Sequence, residues 1–126
     1  MKKIKKLPQA EEKLMLAVWD STPPVARNVL SNKLAQENWS DPTILTMLSR
    51  LVKKNFLKCE KQGNKNMYTP LISKEEYMAW ESISLGKKMR NVSLAGLMAA
   101  FMENNDITDD DINQLEKMIE DYRKSK

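Results

Sequence analysis

Apolar residues recur at helical spacing in six stretches of this chain, and two short runs between the third and fourth stretches alternate instead. After Pro8, Leu14, Ala17 and Val18 fall on one helix face, with Met15 and Trp19 on an adjoining one. Ser21-Thr22-Pro23-Pro24-Val25 ends that helix, because proline lacks a backbone donor and biases its predecessor toward extended geometry; a short linking strand is expected. A second helix over Ala26–Asn38 would turn Ala26, Val29, Leu30 and Leu34 inward, and Trp39-Ser40 would form a turn. The third helix, Asp41–Lys54, has Ile44, Met47, Leu48 and Leu51 at i, i+3, i+4 and i+7. Asp41 suits its cap and Pro42 its first position, where a missing N–H costs nothing.

After Lys54 the period falls to about two. Phe56–Lys61 and Lys65–Leu71 read as strands flanking Gln62-Gly63-Asn64, where glycine and asparagine can supply positive φ, so a β-hairpin is predicted. Ser73 with Glu76 forms a capping box that opens a helical second half. Tyr77, Trp80 and Ile83 mark one side of its first helix, which should end near Gly86. The next, about Ser93–Glu103, carries Leu94, Leu97, Met98 and Phe101. The last starts at Thr108, with Asp111 three residues on, and aligns Ile112, Leu115, Met118, Ile119 and Tyr122. The fold class is therefore α+β and mostly helical. A winged helix-turn-helix over residues 8–71 has a two-stranded wing, and a three-helix lobe occupies residues 72–124.

The third helix has a second face of different chemistry. Thr43, Thr46, Arg50 and Lys53 follow one another on the side away from the apolar stripe, with Ser49 and Lys54 beside them. Ten residues at about 1.5 Å each give a line of about 15 Å, which suits the major groove of duplex DNA. Lys58, Lys61 and Lys65 on the hairpin would stand at the height of a phosphate backbone. A solvated charged face, with hairpin lysines that guard an edge strand, is the plainer account of the same residues.

Charge narrows the choice. Through Pro70 there are 13 Lys and Arg against 6 Asp and Glu, and from Leu71 onward 8 against 11. A polyanion is thus drawn to the first half alone. The seven residues before Pro8 hold four lysines and little to bury, which reads as a mobile basic arm. No apolar run approaches the roughly 20 residues of a membrane span, and no signal-peptide core follows the basic start, so a cytoplasmic location is expected.

The chain has no histidine and a single cysteine, Cys59, which excludes Ser-His-Asp and Cys-His catalysis, His-based zinc sites and an internal disulfide. No enzyme activity, cofactor, metal or small-molecule substrate is expected. Asp109-Asp110-Asp111 resembles a ligand run, yet three consecutive helical residues point three ways, and carboxylates in a first turn are stabilised by the helix dipole. Cys59 reads as a half-buried structural thiol and the methionines Met98, Met102 and Met118 as core or interface.

A lobe of some 55 residues with three apolar stripes and no disulfide or metal buries too little surface alone. Its stripes, with Tyr77, Trp80, Leu94, Leu97, Met98, Phe101, Ile112, Leu115, Met118, Ile119 and Tyr122, are expected to close against a second copy. Two recognition helices so joined can read a palindrome whose half-sites lie one or two helical turns, about 34 Å each, apart.

The helix ending in Trp19-Asp20, the string DPTILTMLSRLVKK with its hairpin, and the compact helical tail together resemble the BlaI/MecI penicillinase-repressor family, from Pro8 through Tyr122. The resemblance implies a homodimeric winged-helix repressor of transcription on palindromic double-stranded DNA, commonly with TACA/TGTA half-sites. It also implies DNA contacts from Thr43, Thr46 and Arg50. In β-lactam-responsive members a membrane-linked sensor protease leads to cleavage of an Asn-Phe bond in the dimerisation lobe. The matching bond here is Ala100-Phe101, which keeps the phenylalanine and lacks the asparagine. The tail INQLEKMIEDYRKSK has no cysteine and so does not match the copper-responsive CopY branch. A winged helix that docks a protein, without sequence-specific DNA binding, is the alternative from another class.

Overall fold

Where the backbone adopts positive φ, this chain reverses direction, and those reversals set the topology. The computed structural model describes residues 3–126. Helix α1 (Gln9–Trp19) is followed by a two-residue strand, β1 (Val25–Ala26), by α2 (Arg27–Lys33) and by a 3₁₀ turn (Ala35–Glu37). Asn38, at φ 58°, ends that turn and starts the approach to α3 (Asp41–Lys53). Asn55, at φ 63°, ends α3 in a Schellman arrangement: the Phe56 N–H donates to the Leu51 carbonyl at 3.0 Å and the Asn55 N–H to the Val52 carbonyl at 3.0 Å. Phe56 thereby drops into the core, and the chain leaves α3 as β2 (Leu57–Gln62).

Strand β3 (Lys65–Pro70) returns antiparallel to β2, with Gln62 opposite Lys65 and Leu57 opposite Pro70. The two-residue tip has its positive φ at Gly63 (64°) and not at Asn64, the requirement of a type II′ turn. The linking strand has a partner too. Val25 lies opposite Tyr68 and Ala26 opposite Met67, so the sheet order is β1-β3-β2. Three helices with a three-stranded antiparallel sheet and a protruding hairpin make a winged helix.

The core of this part joins Leu14, Met15 and Val18 of α1, Leu30 of α2, Ile44, Met47, Leu48 and Leu51 of α3, and Phe56, Leu57 and Tyr68 of the hairpin. The apolar stripes predicted for the first and third helices are thus both buried. Helix α4 (Lys74–Lys88) begins with the expected capping box: the Glu76 N–H donates to Ser73 Oγ at 3.0 Å, and the Ser73 N–H to Glu76 Oε1 at 2.9 Å. The compact N-terminal unit extends through Leu85, and Tyr77 belongs to its core. Its ring lies 5.7 Å from that of Trp19, 5.6 Å from Phe56 and 5.9 Å from Trp80.

Several local expectations are corrected. The expected basic arm falls partly outside the described residues; within them Leu7 is buried, its N–H donates to the Tyr77 hydroxyl at 3.1 Å, and Lys6 pairs with Glu81 at 2.8 Å. The second helix is shorter than predicted and breaks into the 3₁₀ turn, and Val29 is exposed. Ser40, not Asp41, caps α3, accepting from the Thr43 N–H at 3.3 Å; Asp41 and Pro42 occupy the first helical positions. Gly86 does not stop α4, which runs on to Lys88.

The second unit, Gly86–Lys126, holds α5 (Leu94–Asn104) and α6 (Asp109–Lys124). Ser93 caps α5, and Thr108 with Asp111, the last of the three consecutive aspartates, forms a reciprocal capping box on α6 at 3.0 and 3.1 Å. Neither helix has a buried residue. Among the described residues no helix is long and apolar enough to cross a membrane.

Candidate nucleic-acid interface

Burial of one side of α3 obliges the other to face water. Thr43, Thr46, Ser49, Arg50 and Lys53 are all exposed there, so the structure brings the predicted polar line together on one helix. The two threonines are already bonded locally. Thr43 Oγ1 shares a 2.9 Å hydrogen bond with Ser40 Oγ, and Thr46 Oγ1 donates to the Pro42 carbonyl at 2.9 Å. Each hydroxyl oxygen keeps acceptor capacity, while Arg50 and Lys53 form no ion pair among the described residues and offer their donors outward. A shallow hollow of about 370 Å³ is lined by Pro42, Thr43, Thr46, Met47 and Arg50.

The amino end of α3 is braced by a residue the sequence reading passed over. Arg27 Nη1 lies 2.8 Å from Asp41 Oδ1 and donates to Ser31 Oγ at 3.0 Å, and Ser31 in turn donates to Asp41 at 3.3 Å. Arg27 therefore offsets a carboxylate that would otherwise repel an anion at this end of the helix. Nothing in the local sequence pairs residues 27 and 41; the contact exists because α2 and α3 pack together.

The predicted lysines separate into two groups. Lys61 and Lys65 are exposed beside the wing tip and form no ion pair among the described residues. Lys58 pairs with Glu60 of the same strand at 2.8 Å. Lys54 is placed otherwise than expected: its Nζ lies 2.6 Å from Oε1 of Glu11, a carboxylate 4% exposed, so it joins α3 to α1 and is not a free cation on the polar face. Leu45, also missed, is 43% exposed on α3 and lines a hollow of about 420 Å³ between that helix, the start of α2 and the wing. Its signal was available: it is an aliphatic residue off the i, i+3, i+4, i+7 stripe.

Cys59 is exposed on β2, not half-buried, since every residue of this edge strand after Leu57 faces solvent. It stands opposite Tyr68, whose hydroxyl is pushed above its ordinary value of 10.0 mainly by burial, with Cys59 adding in the same direction.

The expected dimerisation residues also divide. Tyr77 is wholly buried and Trp80 half-buried in the N-terminal unit, which leaves Tyr77 no surface for a second chain. In the second unit Leu94, Leu97, Phe101, Ile112, Met118, Ile119 and Tyr122 are exposed, and Met98 and Leu115 half-buried. Met98, Phe101, Leu115 and Met118 help to line an apolar hollow of about 500 Å³ between α5 and α6.

Residues 7–121 match the family model described as penicillinase repressor. The chain belongs to the penicillinase repressor family. Within that family it is 32% identical to the penicillinase repressor of Bacillus licheniformis, over all of this chain and 98% of the relative. It is 26% identical to the methicillin resistance regulatory protein MecI of Staphylococcus aureus strain N315, over 87% of this chain and 89% of that one. Among solved structures, the DNA-binding domain of the repressor BlaI is similar at a TM-score of 0.52 and 37% identity, covering 61% of this chain and 94% of that chain. The Bacillus licheniformis BlaI monomeric form in complex with the blaP half-operator is similar at a TM-score of 0.51 and 37% identity, with the same coverage. These relatives are named as repressors and regulators of resistance, not as enzymes.

Proposed function

We propose that this chain is a transcriptional repressor that binds palindromic operator DNA as a homodimer, with Thr43, Thr46, Ser49 and Arg50 at the base edges and Lys53, Lys61 and Lys65 at phosphates. The observation that carries the reading is the exposed hydroxyl and guanidinium face of α3, flanked by wing lysines, in a fold similar to a BlaI domain solved on a half-operator. Arginine can bond a guanine edge through two parallel donors, and threonine methyls fit thymine. The lysines hold the register and add the sequence-independent part of the affinity.

Dimerisation is assigned to the second unit, whose apolar side chains lack a core of their own. Large exposed apolar surfaces of this kind mark interaction sites. Joining two half-site contacts makes the second contact intramolecular, so the dimer holds an operator far more tightly than either half alone. Repression then follows from occupancy of the promoter.

Derepression by a membrane-linked sensor protease would act at Ala100-Phe101. That bond lies in α5, where the Asn104 side-chain Nδ2 donates to the Ala100 carbonyl at 2.8 Å and the Asn105 side-chain Nδ2 to the Phe101 carbonyl at 2.9 Å. A protease needs extended backbone, so cleavage there requires this turn to open, and it would part the apolar stripe of α5 from α6.

A mobility-shift titration across salt tests the reading. Affinity for duplex DNA should fall steeply as salt rises. A chain indifferent to duplexes even in dilute buffer would instead be a protein-docking winged helix.

A further inference from the structure

Leu45 is the aliphatic residue of α3 that the core does not take up. Ile44, Met47, Leu48 and Leu51 are buried and Val52 packs against them, whereas Leu45 is 43% exposed. It stands one turn before Ser49, at the wing-facing margin of the exposed half of the helix, while Thr43, Thr46 and Arg50 line a separate hollow. Around it the surface is polar and cationic: Arg27, Asn28, Asn64, Lys65 and Asn66 line the same hollow.

An apolar side chain among donors suits one feature of the major groove. Base edges there present hydrogen-bonding groups, with the exception of the thymine C5-methyl. A leucine pressed on a polar edge would strip water without replacing its hydrogen bonds, while on a methyl it removes apolar surface from water on both sides. We propose that Leu45 is a specificity-determining residue that selects thymine in each half-site through its C5-methyl. The inference rests on the DNA-binding reading above and adds to it a base identity at one position.

The test uses the full chain and a duplex selected by it from a random-sequence pool. Each thymine is replaced in turn by 2′-deoxyuridine, which removes the methyl and leaves the hydrogen-bonding edge unchanged, and affinity is read by fluorescence anisotropy. Wild type should lose about four-fold at one thymine per half-site, the worth of one buried methyl group. Leu45→Ala and Leu45→Gln, both at an exposed position, should keep the wild-type melting temperature and bind the thymine and uracil forms of that position alike. A wild type with no uracil penalty, or variants that retain it at every position, would overturn the assignment and leave DNA binding intact. Variants weakened by the same factor on both forms, and so still paying the uracil penalty at that position, would also overturn it, since Leu45 would then only support the helix. If wild type enriches no duplex at all, the DNA reading itself fails, and this inference with it.

Discussion

Lys54 Nζ lies 2.6 Å from Oε1 of Glu11, which fastens the last turn of α3 to the first turn of α1. The carboxylate is buried and the ammonium mostly so. With Arg27 on Asp41 at 2.8 Å, α3 is held by an ion pair at each end, to α2 and to α1. Removing one partner of the buried pair strands the other. Lys54→Met should cost about 2–3 kcal/mol, the range for a buried charged group left without its hydrogen bond, read from urea unfolding. Replacing both Glu11 and Lys54 with methionine should restore most of that loss, because a buried ion pair can be exchanged for apolar contact at little net cost. A double variant no more stable than Lys54→Met would contradict the pairing.

Arg50→Ala should weaken operator binding by about 1–3 kcal/mol per half-site and relax the preference at one base pair, as expected for loss of a guanine contact. Lys65→Ala should weaken all sequences alike and reduce the slope of log affinity against log salt by about one. Titrations of both variants on the selected duplex and a scrambled one separate the roles. Equal losses on both duplexes for Arg50→Ala would move Arg50 from base to phosphate.

The Tyr77 hydroxyl donates to Glu12 Oε2 at 3.1 Å and accepts from the Leu7 N–H at 3.1 Å. Burial raises its ionisation above the ordinary 10.0, opposed by the Leu7 N–H and reinforced by Glu81 and Glu12. A folded value above the unfolded one contributes stability that is whole below about pH 10 and is lost as pH climbs through the folded value. Melting temperature should therefore decline above pH 10, and less steeply in Tyr77→Phe, with the buried Tyr68 supplying part of what remains. At neutral pH the same variant should be about 1–2 kcal/mol less stable, because the Leu7 N–H loses its partner. An alkaline limb unchanged by Tyr77→Phe would refute this origin.

Met118 and Ile119 are 64% and 58% exposed, so charges there should not disturb the fold of a single chain. Met118→Asp with Ile119→Asp should give a monomer by sedimentation at concentrations where wild type is a dimer. Its affinity for a palindrome should fall to that for one half-site. A double variant that still dimerises would put the interface elsewhere.

Where the sequence could be read, one periodicity ruled a stretch. The buried stripe of α3, its exposed hydroxyl and guanidinium line, the wing and both capping boxes follow from spacing a few residues long. What escaped depends on contacts distant in sequence. Leu7 reads from local sequence as part of a mobile basic arm because its partner is the hydroxyl of Tyr77, 70 residues away. Lys54 reads from local spacing as one of the DNA-binding cations because Glu11, its partner, lies 43 residues before it. Tyr77 shares a helical stripe with Trp80, yet two aromatic neighbours distant in sequence, Trp19 and Phe56, draw it into the first unit's core. Ser40 and Asp41 are both good caps by residue type, and the choice between them is a matter of one residue of backbone geometry.

Selection of bound duplexes from a random-sequence pool by the full chain bears most directly on the claim that the polar face of α3 reads DNA in a two-fold assembly. The enriched sequences should be inverted repeats with half-site centres one or two helical turns apart, and Arg50→Ala should lose the preference at one position in each half. Enrichment of a single asymmetric site, or none at any salt, would contradict it.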